Sequence, residues 1–169
     1  MPMPVSRPDF REAMARLGAA VSVITSDGPA GRAGLTASAV CSVTDEPAML
    51  LVCINRTSSQ HAAVKANGVL CVNVLSAAQS DISNTFAGMT GAATAEERFR
   101  HGSWSVLETG SPALEGAAVS LDCEIEDVLE KGTHSVFFAA IRAIRLGEKG
   151  PGLIWWQRDY HKLPLPVAS

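Results

Sequence analysis

The chain has 169 residues, 47% apolar and 18% charged, which is enough for one sizeable core and too few for two ordinary domains, so residues 1–169 are expected to form a single domain. The formal net charge of -3, with acidic and basic residues interspersed, offers no basic surface for nucleic acid. No apolar run is long enough to cross a bilayer, and the start MPMPVSRPDF lacks the plan of a signal peptide, so a cytoplasmic protein without membrane partners is expected.

Between Arg7 and Leu17, Phe10, Ala13, Met14 and Leu17 recur at helical spacing, with Ser6 and Asp9 as a start signal and Gly18 as a stop. This predicts an amphipathic helix packed on the rest of the domain. Ala19 to Ser26 alternates as a strand, and the turn-rich segment Asp27 to Gly34 leads into a second strand from about Leu35 to Val43. Ala48 to Ile54 is apolar without alternation, which predicts a strand covered on both faces. Asn55 to Ser59 comes next, where Ser58 or Ser59 is placed to cap a short helix ending at Asn67-Gly68.

Val69 to Leu75 reads as a further strand. Ser76 with Gln79, then Thr94 with Glu97, are spaced as capping boxes for two short helices, the first carrying Ile82 and Phe86 and the second Phe99. A loop with Trp104, Gly110 and Pro112 precedes the clearest alternation, Val119 to Glu126, which turns at Lys131-Gly132-Thr133 into a long strand from His134 to Leu146. Leu153 to Trp156 is the last predicted strand, and the proline-punctuated tail from Leu163 reads as extended. Hairpin-length connections predict a largely antiparallel sheet, mainly β with a few helices, and closure into a small barrel removes its edges.

Cys41, Cys53, Cys71 and Cys123 lie in apolar runs without a Cys-x-x-Cys pair, so four reduced, buried thiols are expected. The four histidines lack i, i+4 pairing, and no metal site is expected. Gly28, Gly31 and Gly34 open a hairpin rather than a helix, which departs from the dinucleotide fingerprint of a parallel sheet. The stretch Thr25 to Arg56 is the candidate binding surface. Small side chains at Ala37, Ser38 and Ala39 let a planar ring approach the backbone, or simply pack beneath a helix. Hydroxyls and amides at Asn55 to Ser59, beside Arg56, favour an anion, or are an ordinary helix start. His134, Arg158 and Tyr160 stand at strand ends, where a shared rim can form.

The stretch GAAVSVITSDGPAGRAGLTASAVCSVTDEPAMLLVCINR, together with LCVNVL, FAGMTG, EERF, GTH and GLIWWQRDYHKL in that order, resembles the flavin reductase family that supplies reduced flavin to two-component monooxygenases. FAGMTG and EERF lean toward its 4-hydroxyphenylacetate branch, and the Asp27 to Gly34 loop toward its pyrimidine-utilisation branch. The resemblance implies an FMN-binding split barrel of Greek-key type, a homodimer, and NADH as hydride donor to FMN or FAD, with reduced flavin diffusing to a partner oxygenase. It implies that Thr36, Ala37 and Ser38 hold the flavin ring, that Cys53, Ile54, Asn55 and Arg56 border it, and that Thr57, Ser58 and Ser59 approach the phosphate. Phe86, Ala87 and Gly88 match the segment near the flavin, while His134, Arg158 and Tyr160 match the nicotinamide side, His134 as the residue orienting that ring. Relatives with Gly-Asp-His differ from Gly132-Thr133-His134, so no acidic role transfers there. Other expectations for the same fold are a flavin-binding or redox-sensing protein without turnover and an FMN-retaining reductase of another acceptor such as a corrinoid.

Overall fold

The structure, a computed structural model, describes residues 4–165. In chain order its elements are α1 (Arg7–Met14), β1 (Ala19–Ala20), β2 (Ser22–Ser26), β3 (Ala33–Ala37), β4 (Val40–Asp45), β5 (Ala48–Asn55), α2 (His61–Asn67), β6 (Val69–Val74), α3 (Ser80–Phe86), α4 (Ala95–Phe99), β7 (Trp104–Val106), β8 (Pro112–Leu114), β9 (Val119–Lys131), β10 (His134–Leu146), β11 (Gly152–Trp156) and β12 (Asp159–Leu163). The protein is mainly β with few helices, as the short-turn spacing predicts.

Seven strands form one sheet in the order β3-β2-β6-β9-β10-β5-β4, and every ladder in it is antiparallel. Its two margins, β3 and β4, are consecutive in the chain and joined only by Ser38 and Ala39. The sheet must therefore curl until its edges approach. Among the described residues no ladder joins β3 to β4, so the curl stays open. The strand expected from Leu35 to Val43 is accordingly two strands, and the interruption falls where the chain changes margin.

Ile24, Leu50, Val52, Ile54, Leu70, Val72 and Phe137 fill the inside of the curl. A second core, with Val21, Val23, Leu75, Phe86, Phe99, Leu114 and Leu153, lies on the other face of β2. Being clamped between two cores, β2 is buried at all its positions rather than on one face. β5, read as covered on both faces, instead alternates, with Leu50, Val52 and Ile54 buried and Met49, Leu51 and Cys53 only partly covered. An edge neighbour covers less than a layer does.

Asn73 on β6 is fully buried and ties four strands together. Its Nδ2 donates to the Val23 carbonyl and to Thr25 Oγ1, both at 3.1 Å, and its Oδ1 accepts the Leu114 N–H at 2.8 Å and the Ser120 hydroxyl at 2.9 Å.

Several further departures have local causes. α1 buries none of its residues: Phe10 and Met14 are 55% and 44% exposed, as is Leu17 just beyond it at 61%. Polar bonds hold the helix instead, with Gln157 N–H donating to the Ala15 carbonyl at 2.7 Å and Arg158 pairing with Glu12 at 2.9 Å. Cys71 and Cys123 are buried, but Cys53 is half-buried and Cys41 exposed, because β4 is an edge strand on which every residue but Val40 is exposed. Neither Ser58 nor Ser59 caps α2, whose N-cap is Gln60, while Gly68 closes its C-terminus at φ 70° as the Asn67-Gly68 signal predicts. Thr94 and Glu97 form the expected capping box, whereas Gln79 accepts the Ser76 N–H and donates to the Glu115 carbonyl, and α3 has no side-chain cap. β7, β8 and β12 are not predicted from the sequence. The tail beyond Leu165 lies outside the described residues.

Candidate active site

The functional side chains come from strand exits that the sheet brings together. The β10–β5 register sets His134 opposite Asn55, which joins residues far apart in sequence. Cys53 N–H donates to the Ala39 carbonyl at 3.0 Å, which lays the Ser38-Ala39 link beside the end of β5. The Thr36 hydroxyl donates to the Ser83 carbonyl at 2.6 Å, fixing α3 over β3.

Gly34 makes this junction sterically feasible. A Cβ there would stand 2.5 Å from Phe86 Cε1, so only glycine lets the Phe86 ring lie against β3. Phe86 in turn packs edge-on to Phe99, with centroids 5.1 Å apart, and that aromatic cluster anchors α4, the helix that carries Arg98.

The result is a cavity of about 460 Å³ walled by Leu35 to Ala39, by Cys53, Ile54, Asn55, Ser58 and Ser59, and by Phe86, Ala87, Arg98 and His134. That volume is typical of sites for small molecules and cofactors. Arg98 donates to the Gly34 carbonyl from Nη1 and to the Ala92 carbonyl from Nε, both at 3.2 Å, and no carboxylate is among the lining residues. In a protein of net charge -3, this wall is locally positive. Burial pushes the Cys53 thiol above its ordinary pKa and keeps it neutral. A strip of small residues, clustered hydroxyls and one guanidinium fit a flat ring that carries a phosphate.

An adjoining cavity of about 220 Å³ shares Thr36, Ala37, Ser38 and Ala87 and adds Tyr160, Trp155 and Met89. Tyr160 is fixed there, its hydroxyl 2.8 Å from both Ser83 Oγ and Asn84 Oδ1. Gly88 ends α3 at φ 78°, close behind the Arg98 guanidinium. Arg56 and Thr57 face a neighbouring groove rather than the main cavity. Arg158 stands apart, paired with Glu12 of α1. The residue missed by sequence reasoning is Arg98: EERF carries it as a helix-surface arginine, and only its bonds to Gly34 and Ala92 turn it inward. His134, exposed at the rim, has Nδ1 2.8 Å from the Thr133 hydroxyl.

An antiparallel sheet whose strand exits wall a locally positive, carboxylate-free cavity has the chemistry to accept an anionic ligand. The chain belongs to the flavin reductase family of oxidoreductases: the family model "Flavin reductase like domain" matches residues 14–164. It is 54% identical over 165 residues to the FMN reductase (NADH) RutF of Variovorax paradoxus (strain S110), with 98% of this chain and 90% of that protein covered. It is 52% identical over 164 residues to the FMN reductase (NADH) RutF of Escherichia coli (strain K12), covering 97% of this chain and 98% of that one. A crystal structure of YcdH from Haemophilus somnus 129PT is 43% identical with a TM-score of 0.89, spanning 94% of this chain and all of that one.

Proposed function

We infer that the protein is an NADH-dependent FMN reductase whose main cavity holds the flavin. The observation that carries this is the conjunction of a carboxylate-free, arginine-bearing cavity with a bare strip at Thr36 to Ala39. When bound, a flavin would supply the hydride acceptor for NADH. Hydride transfer needs stacked rings with reacting atoms about 3–3.5 Å apart, so the chain's task is positioning. Ala37 and Ser38 admit a ring against the backbone, Ile54 and Asn55 border it, and Arg98 with Ser58 and Ser59 holds the phosphate. The absence of a carboxylate keeps the wall tolerant of negative charge developing during transfer. His134, at the open rim, orients the nicotinamide, and Tyr160 closes the opposite end beside Trp155.

The curl of the sheet, with its margins joined at Ser38 and Ala39, supports an FMN-binding split barrel. The uncovered apolar side chains of α1 support a homodimer, and light scattering giving a monomer at working concentration would overturn it. The open rim favours a flavin that exchanges and passes, reduced, to a partner oxygenase.

Purified protein mixed with NADH and excess free FMN is expected to oxidise NADH through many turnovers. No loss of NADH above background would refute the reading, and one turnover per protein followed by arrest would refute flavin exchange. His134→Ala is expected to raise KM for NADH more than KM for FMN, and an unchanged NADH KM would remove His134 from the nicotinamide side.

A further inference from the structure

Beside the flavin cavity lies a second groove of about 440 Å³, with Arg56, Thr57, His61, Glu130 and Thr133 in its walls. It is the continuation of the site, because Thr133 touches His134 on one side and its carbonyl accepts the Arg56 N–H at 2.9 Å on the other. Lys65 reaches the same place from α2. Glu130 takes Lys65 Nζ on one oxygen at 3.2 Å and Arg56 Nη2 on the other at 3.3 Å.

Two cations thus share one carboxylate, which leaves a surplus positive charge. All three side chains are close to half exposed, so these pairs contribute little to stability and an anion can take over the cations at small cost. His61 does not add to this positive charge: burial first, then Lys65, holds its imidazole below the ordinary pKa, and its Nε2 lies 2.8 Å from Ser135 Oγ.

We propose that this groove binds the diphosphate of an adenine dinucleotide, between Arg56 and Lys65, while the main cavity holds the flavin ring. The proposal rests on the flavin reductase reading for the neighbouring cavity and names what lies beyond it. The position next to His134 favours the diphosphate of NADH. The diphosphate of FAD has the same chemistry.

The test uses the full chain and ADP as the probe, measured by calorimetry and as an inhibitor against NADH. Lys65→Ala is expected to weaken ADP by roughly threefold to tenfold, and Glu130→Gln, which frees both cations, to tighten it by a similar factor. A loss of folding cannot produce the second effect. KM for NADH should move with ADP affinity, KM for FMN should stay, and with reduced nicotinamide mononucleotide as donor neither variant should matter. If the variants move KM for FAD and leave that for NADH, the groove still holds a dinucleotide diphosphate, supplied by the flavin. ADP that does not bind, or that shifts in the same direction in both variants, overturns the proposal. Because calorimetry reads ADP without turnover, failure of FMN reduction and failure of this groove are separate results.

Discussion

Replacing Asn73 by leucine is expected to lower the melting temperature by roughly 6–12 °C, since stranding buried donors and acceptors costs on the order of 3 kcal/mol and each kcal/mol moves a chain of this size by about 2–4 °C. Leucine has the branched outline of asparagine and is no smaller, so the effect is not that of a cavity. It comes from the Leu114 N–H, the Ser120 hydroxyl and the Val23 carbonyl, which lose a common partner in a fully buried place. Thermal unfolding followed by circular dichroism at fixed protein concentration measures it. A drop under about 2 °C would show that those groups find other partners.

Arg98→Ala is expected to raise KM for FMN by roughly tenfold to hundredfold, the usual scale for losing a hydrogen bond to a charged group. Arg98 also braces the Gly34 and Ala92 carbonyls, so a general loosening of the site is the competing explanation. Riboflavin separates the two. It has the ring and no phosphate, so its KM should change little if Arg98 acts on the phosphate and should rise alongside that of FMN if the site has merely loosened. Arg98→Lys, which keeps a cation without the fork, should fall between.

Much of the sheet was legible because its signals are local. His134 to Leu146 forms the strand that the Gly132-Thr133 turn and apolar pattern predict, and the Val119 to Glu126 alternation lies on its partner. β12 was hidden for a physical reason: its hairpin turns through Gln157 and Arg158 at φ 51° and 62°, positions where glycine or asparagine is the usual signal. β7 and β8 have three residues each, too few for a period to show. Of the site, Thr36 to Ser38 and Asn55 could be picked out as small or polar residues at strand exits. Arg98 could not, because nothing in EERF tells an inward guanidinium from a solvated one. Arg56 and Arg158 are expected from the sequence at the flavin and nicotinamide sides, and their pairing with Glu130 and Glu12 comes from long-range packing that no local pattern shows.

The two-residue link at Ser38 and Ala39 makes the ligand site a seam. The margins of the sheet meet there without a ladder, so whatever lies against that link touches both at once. A nucleotide seated on it acts as a clasp, supplying across the gap the cross-connection that backbone pairing leaves out. On the proposed reading, holding flavin and holding the two edges of the sheet in register are one event.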